Sequence, residues 1–116
     1  KAPNDVLPLS VGARAGLTAA VAWLAREGVV DNVTINNLLP EMILTDRFRT
    51  GLARMAELAG KEPEAFVADF VTALPARRLG SPKEFGDFCA FLCSAQAGYV
   101  SNQNILVDGG HYPGLF

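Results

Sequence analysis

The sequence predicts an α/β fold with a parallel sheet, on three observations. Two short apolar runs that suit strands lie at residues 32–39 and 105–107. Segments with helical spacing of apolar residues precede each run, and two more helices are inserted between Pro40 and Gly80. The predicted order is helix, strand, helical insert, helix and strand, which is the alternation typical of parallel sheets.

The first helix is predicted over residues 10–27. Small and apolar residues recur there with helical spacing, and Gly28 is placed to terminate the helix. The recurring residues are Ala13, Leu17, Ala20, Val21, Leu24 and Ala25.

The first strand is predicted over residues 32–39, which are β-branched at the start and apolar at the end. Pro40 follows it, and because proline has no amide N–H we expect the ladder to stop there.

A helical insert is predicted at about residues 45–75. Thr45 can cap a helix that runs from Asp46 to about Ala59, and a second helix opens at Pro63 and is ended by Pro75. The apolar stripe of the second helix consists of Phe66, Val67, Phe70, Val71 and Leu74.

The last helix is predicted to begin at Pro82 and to end at about Ser94. Ser81 is a good N-cap and Glu84 completes a capping box. Its apolar face is formed by Phe85, Phe88, Cys89, Leu92 and Cys93. The strand at residues 105–107 follows, and Asp108 is expected to satisfy the turn after it. Two parallel strands alone leave faces and edges uncovered, so we expect further strands from elsewhere.

Composition excludes several classes of function. The net charge is −2 with mixed signs, which argues against a nucleic-acid surface, and no apolar run reaches the roughly 18 residues that span a bilayer. Cys89 and Cys93 have neither a second cysteine pair nor a histidine cluster to complete a metal site. We interpret them as buried thiols of a cytoplasmic protein.

Four blocks in order carry a resemblance to a known family. They are Arg14-Ala15-Gly16-Leu17-Thr18; Val33-Thr34-Ile35-Asn36 leading to Pro40; Arg78-Leu79-Gly80 with Ser81-Pro82-Lys83-Glu84-Phe85; and residues 103–110. The chain resembles the C-terminal half of the classical short-chain dehydrogenase/reductases, most closely the 3-oxoacyl-carrier-protein-reductase-like members.

The resemblance implies that residues 1–116 are the C-terminal portion of a single Rossmann-type doubly wound domain, with the insert as a substrate lid. The glycine-rich phosphate loop and the family's catalytic Ser would then lie upstream of Lys1. The chain opens without a Met and in a coil-like run over Lys1–Asp5, so we expect a fragment of a longer protein that lacks its N-terminal dinucleotide-binding half.

The resemblance also places the family's catalytic Tyr and Lys at Ser10 and Arg14. A Ser hydroxyl is a poor general acid near neutral pH, whereas Arg14 keeps the charge and the donors needed to hold a ribose hydroxyl. Alternatively, Ser10 only caps the helix and Arg14 is a solvated or ion-paired surface residue.

The family's Pro-Gly-x-Ile-x-Thr loop corresponds to residues 40–45. Pro40, Ile43 and Thr45 match as cofactor-binding residues, whose backbone or hydroxyl would contact the nicotinamide carboxamide or the phosphates. Glu41 replaces the glycine and brings a negative charge, which disfavours an anionic cofactor. Thr45 alternatively serves only as a helix cap.

Other residues are assigned structural roles or left open. His111 has no catalytic partner nearby in sequence, and a set of apolar side chains in the insert either lines an acyl pocket or belongs to the core. That set is Met42, Phe48, Met55 and Phe66.

The resemblance favours an NADP- or NAD-dependent oxidoreductase that reduces a 3-oxoacyl or similar small-molecule carbonyl substrate. The alternative is a non-catalytic or weakly catalytic relative that acts as a nucleotide-binding or assembly subunit, because three functional positions differ from the family pattern. We expect a cytoplasmic homodimer or homotetramer with no nucleic-acid or membrane partner, associating through the first helix and the tail at residues 112–116.

Overall fold

The computed structural model describes residues 8–115, so the expectations for Lys1–Asp5 and Phe116 lie outside the described residues. The chain divides into two compact units, each described by itself. The described residues of the first unit are 8–39, 88–106 and 114–115, and those of the second are 40–87 and 107–113.

The predicted order of elements is confirmed. The elements, with two short 3-10 turns at Val29–Asp31 and Ala95–Ala97, are α1 (Pro8–Gly28), β1 (Asn37–Pro40), α2 (Asp46–Leu58), α3 (Pro63–Ala73), α4 (Pro82–Leu92) and β2 (Asn104–Val107).

Helix α1 differs from the prediction at both ends. Pro8 and Leu9 are already helical, so Ser10 lies inside the helix and does not cap it. Gly28 remains right-handed with φ −68°, and the chain reverses instead at Asn32, with φ 60°. Asparagine tolerates the left-handed conformation better than most residues, which explains why the turn falls there.

Strand β1 begins later than predicted, at Asn37, and side chains supply most of the bonding at residues 35–36, where Asn102 N also donates to Ile35 O at 2.8 Å. The Asn36 amide donates to Val100 O at 2.8 Å and accepts from Gln103 N at 3.0 Å. Ile35 N donates to the Ser101 hydroxyl at 3.3 Å. These bonds hold the chain in place without a regular strand, so the predicted start at residue 32 is wrong.

The two strands form a two-stranded parallel sheet. Asn37 N donates to Gln103 O at 2.8 Å, and the Asn37 and Asn104 side chains are joined at 2.9 Å. Pro40 is the last residue of β1, but pairing continues one residue further, because Glu41 N donates to Val107 O at 3.2 Å.

Helices α2 and α3 pack against each other in the second unit. Leu52 and Ala56 of α2 are buried, as is Leu74 just after α3. The rings of Phe48 and Phe70 lie 6.2 Å apart between centroids. Phe48 therefore contributes to packing within the insert. Of the two roles left open by the sequence, an acyl pocket or the core, the structure places Phe48 in the core.

The prediction that the cysteines are buried is wrong for the described structure. Cys89 and Cys93 are both exposed, whereas Phe85, Phe88 and Leu92 of the same helix are half-buried. Each thiol lies one residue beyond a half-buried side chain, about 100° further round the helix, and so falls outside the covered face.

Much of the apolar surface of the first unit is exposed, because no other described residue covers it. Ala25 of α1 is fully buried, but Leu9 is 89% exposed and Trp23 64% exposed. No helix among residues 8–115 is long and apolar enough to cross a membrane.

Candidate functional site

The segment that links β1 to α2 is held by the chain at Gly80. Ile43 and Gly80 form an isolated parallel bridge, in which Gly80 N donates to Met42 O at 2.9 Å and Leu44 N donates to Gly80 O at 2.8 Å. A Cβ atom at Gly80 would lie 2.6 Å from Ile43 Cδ1. The nearest backbone atom, Met42 O, would be 3.8 Å away, so a side chain at Gly80 would require the Ile43 side chain to move but not the backbone.

Ile43 and Thr45 lie together at the end of this segment. Thr45 N donates to Ile43 O at 2.8 Å, and the Thr45 hydroxyl accepts from Phe48 N at 3.2 Å as the N-cap of α2. The capping prediction for Thr45 is confirmed. Its hydroxyl proton remains a donor, and the Ile43 N–H has no backbone acceptor among the described residues. Both groups are available to a ligand.

A small cleft of about 90 Å³ lies beside this segment, within the second unit. Its walls come from the loop after β1, the chain before α4, the first turn of α4 and the turn after β2. Its lining includes Glu41, Ile43, Arg78, Glu84, Val107 and Asp108.

The capping box at the start of α4 is confirmed. Ser81 N donates to Glu84 Oε2 at 2.8 Å, and Glu84 N donates to Ser81 Oγ at 3.2 Å. The sequence analysis gave no role to Arg78, whose guanidinium donates two hydrogen bonds to the same carboxylate, at 2.6 and 3.0 Å. An arginine six positions before a capping-box glutamate was the signal available.

These bonds set the ionisation of the pair. Hydrogen bonds lower the pKa of Glu84 to about 2, with the largest contribution from Arg78 and smaller ones from Ser81. The same carboxylate raises the pKa of Arg78 through a hydrogen bond and through its charge. Both side chains are therefore fully charged near neutral pH and paired with each other.

The turn after β2 is organised by Asp108, as the sequence predicts. Its carboxylate accepts from Gly110 N and from Tyr112 N, each at 2.9 Å. Gly109 and Gly110 have φ values of 63° and 77°, which the turn requires.

A contact between an imidazole and a carboxylate was not predicted. His111 Nδ1 lies 3.2 Å from Glu41 Oε2, and both side chains are partly exposed, at 38% and 44%. The two residues are far apart in sequence and neither belongs to a local motif, so no pattern in the sequence indicated the contact.

Ser10 and Arg14 lie in α1, in the first unit. They are one helical turn apart and therefore on one face; Ser10 is half-buried and Arg14 is exposed. Among the described residues neither side chain has a hydrogen-bond partner, although Thr18 Oγ1 donates to Arg14 O at 2.9 Å. Pro40, Ile43 and Thr45 lie in the second unit.

No group of three or more potential metal ligands occurs within residues 8–115.

The sequence profile of the enoyl-(acyl carrier protein) reductase family matches residues 8–112. Two curated relatives are similar over much of the chain. The 3-oxoacyl-[acyl-carrier-protein] reductase FabG of Vibrio cholerae is 33% identical over 100 residues, which is 86% of this chain and 36% of that protein. The NADPH-dependent reductase BacG of Bacillus subtilis is 32% identical over 79 residues, which is 68% of this chain and 30% of that protein.

Solved structures agree. L-sorbose reductase from Gluconobacter frateurii, complexed with NADPH and L-sorbose, superposes with a TM-score of 0.81 at 26% identity, covering 97% of this chain and 42% of that one. YwfH, an NADPH-dependent reductase of bacilysin biosynthesis, superposes with a TM-score of 0.76 at 28% identity, covering 87% and 38%. The chain thus spans about a third of the length of the curated relatives that it matches.

Proposed function

This chain belongs to the short-chain dehydrogenase/reductase family, and from that membership we propose that the protein containing it is an NAD(P)-dependent oxidoreductase. Its substrate is a 3-oxoacyl compound or a similar small-molecule carbonyl compound. The curated relative from Vibrio cholerae is by name a 3-oxoacyl reductase, and three of the relatives above are described as using or binding NADPH.

The observation that carries the proposal is the pair of free donors at Ile43 and Thr45. The Ile43 N–H suits a carbonyl oxygen such as that of a nicotinamide carboxamide, and the Thr45 hydroxyl suits a carboxamide or phosphate oxygen. Thr45 also stands at the N-terminus of α2, where the helix dipole favours a negative group. These residues fit NADP or NAD, which supplies the hydride when bound.

Arg14 is proposed to hold the nicotinamide ribose. Its side chain is exposed and unpaired within the described residues, so its guanidinium donors are available to ribose hydroxyls. Ser10 stands at the position of the family's general acid, one turn before Arg14. Because a Ser hydroxyl gives up a proton poorly near neutral pH, water or a side chain from outside this chain is proposed to protonate the carbonyl oxygen.

The glycine-rich phosphate loop is proposed to come from a segment outside this chain. In support, α1 carries exposed apolar side chains such as Leu9 and Trp23, which are unfavourable without cover. Residues 1–116 are then the C-terminal part of one Rossmann-type domain. Assembly as a homodimer or homotetramer and a cytoplasmic location complete the proposal.

The test is turnover by the full protein. NADPH absorbance is followed with an acetoacetyl thioester as substrate, and consumption that depends on the thioester is expected. No consumption above background would refute the proposal and favour the non-catalytic alternative, to which the differences at Ser10, Arg14 and Glu41 point.

A single substitution tests the role of Arg14. We expect Arg14→Ala to raise the Kd for NADPH about ten-fold or more, since hydrogen bonds from a charged donor contribute about 1.5–3 kcal/mol. Arg26→Ala is the matched control, because it removes another exposed arginine from the same helix. An unchanged Kd for Arg14→Ala in calorimetry would exclude Arg14 from the site.

A further inference from the structure

We infer that the contact between Glu41 and His111 positions the segment between β1 and α2 for cofactor binding, with His111 as the positioning residue. The inference rests on the proposed function, because it concerns the same segment that carries Ile43 and Thr45. It assigns a role to a residue that local sequence left without one.

The pair is one of two parallel links between the strand ends. Glu41 N donates to Val107 O at 3.2 Å, while the Glu41 carboxylate lies 3.2 Å from His111 Nδ1. The first link is the last bond of the sheet. The second extends the connection past the end of β2, so that Glu41 is held through its backbone and through its side chain.

His111 is itself mounted on a fixed turn. Asp108 accepts from the backbone N–H groups of Gly110 and Tyr112, on either side of His111, at 2.9 Å each. His111 N donates to Asp108 O at 3.3 Å. Because these bonds fix the backbone on both sides of His111, its imidazole extends toward the Glu41 carboxylate from a fixed position.

The segment needs such an anchor at Met42. Its φ of 54° lies in the left-handed region, which a residue with a side chain adopts at a cost. On one side, Met42 O and Leu44 N are bonded to Gly80. On the other side lies Glu41 with its two links. The strained residue is therefore clamped from both directions, and Ile43 and Thr45 follow directly.

The pair also fixes the position of the Glu41 carboxylate. Arg78, Glu84 and Asp108 line the same cleft as Glu41, but Arg78 is bound to Glu84, and the Asp108 carboxylate is taken up by the turn. Among the described residues His111 is thus the side chain that lies against the Glu41 carboxylate. A nicotinamide dinucleotide is anionic, so an unpaired Glu41 would oppose its binding.

The experiment is a double-mutant cycle on the full protein with Glu41→Ala, His111→Ala and the double variant. Lys61→Ala is the control, because it breaks an exposed ion pair of the second unit, Lys61–Asp69, at 2.7 Å. The first measurement is amide hydrogen exchange of residues 40–45 without cofactor. We expect each single variant to speed exchange at Leu44 and Thr45 by up to about five-fold, which is the range of a partly exposed pair.

The double variant should exchange no faster than either single variant, and Lys61→Ala should exchange as the wild type does in this segment. Unchanged exchange in the single variants, or rates in the double variant that multiply as independent effects, would overturn the inference.

The second measurement is the Kd for NADPH. His111→Ala loosens the segment and leaves the Glu41 carboxylate without its imidazole contact, so its Kd should rise by up to about five-fold. Glu41→Ala removes the charge as well as the link and should have a smaller effect, which the double variant should match. A merely structural role would give His111→Ala and Glu41→Ala equal effects on the Kd for NADPH. An unchanged Kd in His111→Ala would refute positioning for the cofactor.

The two measurements separate this inference from the proposed function. If the wild-type protein binds no NADPH, the proposed function fails. The exchange cycle needs no cofactor, and it still decides whether His111 holds the segment.

Discussion

Replacing Gly109 by alanine should destabilise the turn that follows β2 more than the same change at its neighbour. Gly109 has φ 63°, and a Cβ atom added to it would lie 2.9 Å from the Cβ of Ala76. Gly110 has φ 77°, and a Cβ atom there would meet nothing within 4 Å. Alanine at either position therefore adopts an unfavourable left-handed backbone, but only alanine at position 109 also meets a steric clash.

The magnitudes follow from those two terms. A left-handed conformation costs a residue with a side chain about 1–2 kcal/mol, which applies to both variants. The contact with Ala76 joins two atoms that no side-chain rotation can separate, so relief requires a backbone shift, and overpacking of this kind costs about 1–3 kcal/mol. We expect Gly110→Ala to lose about 1–2 kcal/mol of unfolding free energy and Gly109→Ala to lose about 2–5 kcal/mol.

The assay is urea unfolding of the full protein. For an m value of about 2 kcal/mol/M, the midpoint of Gly109→Ala should lie roughly 0.5 to 1.5 M below that of Gly110→Ala. Equal midpoints would refute the steric argument, and a wild-type midpoint in Gly110→Ala would refute the backbone argument.

Two further predictions concern α2 and the capping box. Gly51→Ala should raise the unfolding free energy by about 0.5–1 kcal/mol, because Gly51 lies within α2 and an added Cβ atom meets nothing within 4 Å; a lower urea midpoint would contradict this. Since the pKa of Glu84 falls from 4.5 to about 2 on folding, its stabilising contribution is present above about pH 4.5 and is lost as the pH falls through 2. Glu84→Gln should therefore flatten the decline of the melting temperature with acid, with Asp87→Asn, at the exposed Lys83–Asp87 pair, as the control; an unaltered profile in Glu84→Gln would contradict the prediction.

Most helix limits of the insert and of α4 were predictable because the chemistry that sets them is local. Thr45 bonds the amide of Phe48, and Ser81 and Glu84 bond each other, all within three residues. Side-chain caps of this kind form wherever the residues occur in that order, so their pattern can be read without the fold.

The ends of α1 and β1 were less predictable. Gly28 and Asn32 both suit a helix end, and the turn formed at Asn32, where Val33 N reaches Gly28 O at 3.0 Å. The start of β1 depended on Asn36, whose amide bonds a distant segment. Propensity cannot decide such cases because the competing partner lies elsewhere in the chain.

The candidate site shows the same division. Thr45 and Ile43 were identified through a motif, and their placement in one short segment follows from their spacing. The contacts of Glu41 with His111 and of Ile43 with Gly80 join residues that are remote in sequence. The roles of Ser10, Arg14, Pro40, Ile43 and Thr45 in catalysis or cofactor binding stay predictions, and the Arg14→Ala experiment tests that of Arg14.

The amino-acid sequence by itself determined the order of helices and strands, the capped helix starts, the turn at Asp108 and the family. Each depends on residues a few positions apart, whose hydrogen bonds and periodicity are set by backbone geometry. Only the tertiary structure decided where β1 begins, which glycine a neighbouring atom crowds, and that His111 lies against Glu41. Those features require two distant segments to meet, and a local pattern does not contain the distance between them.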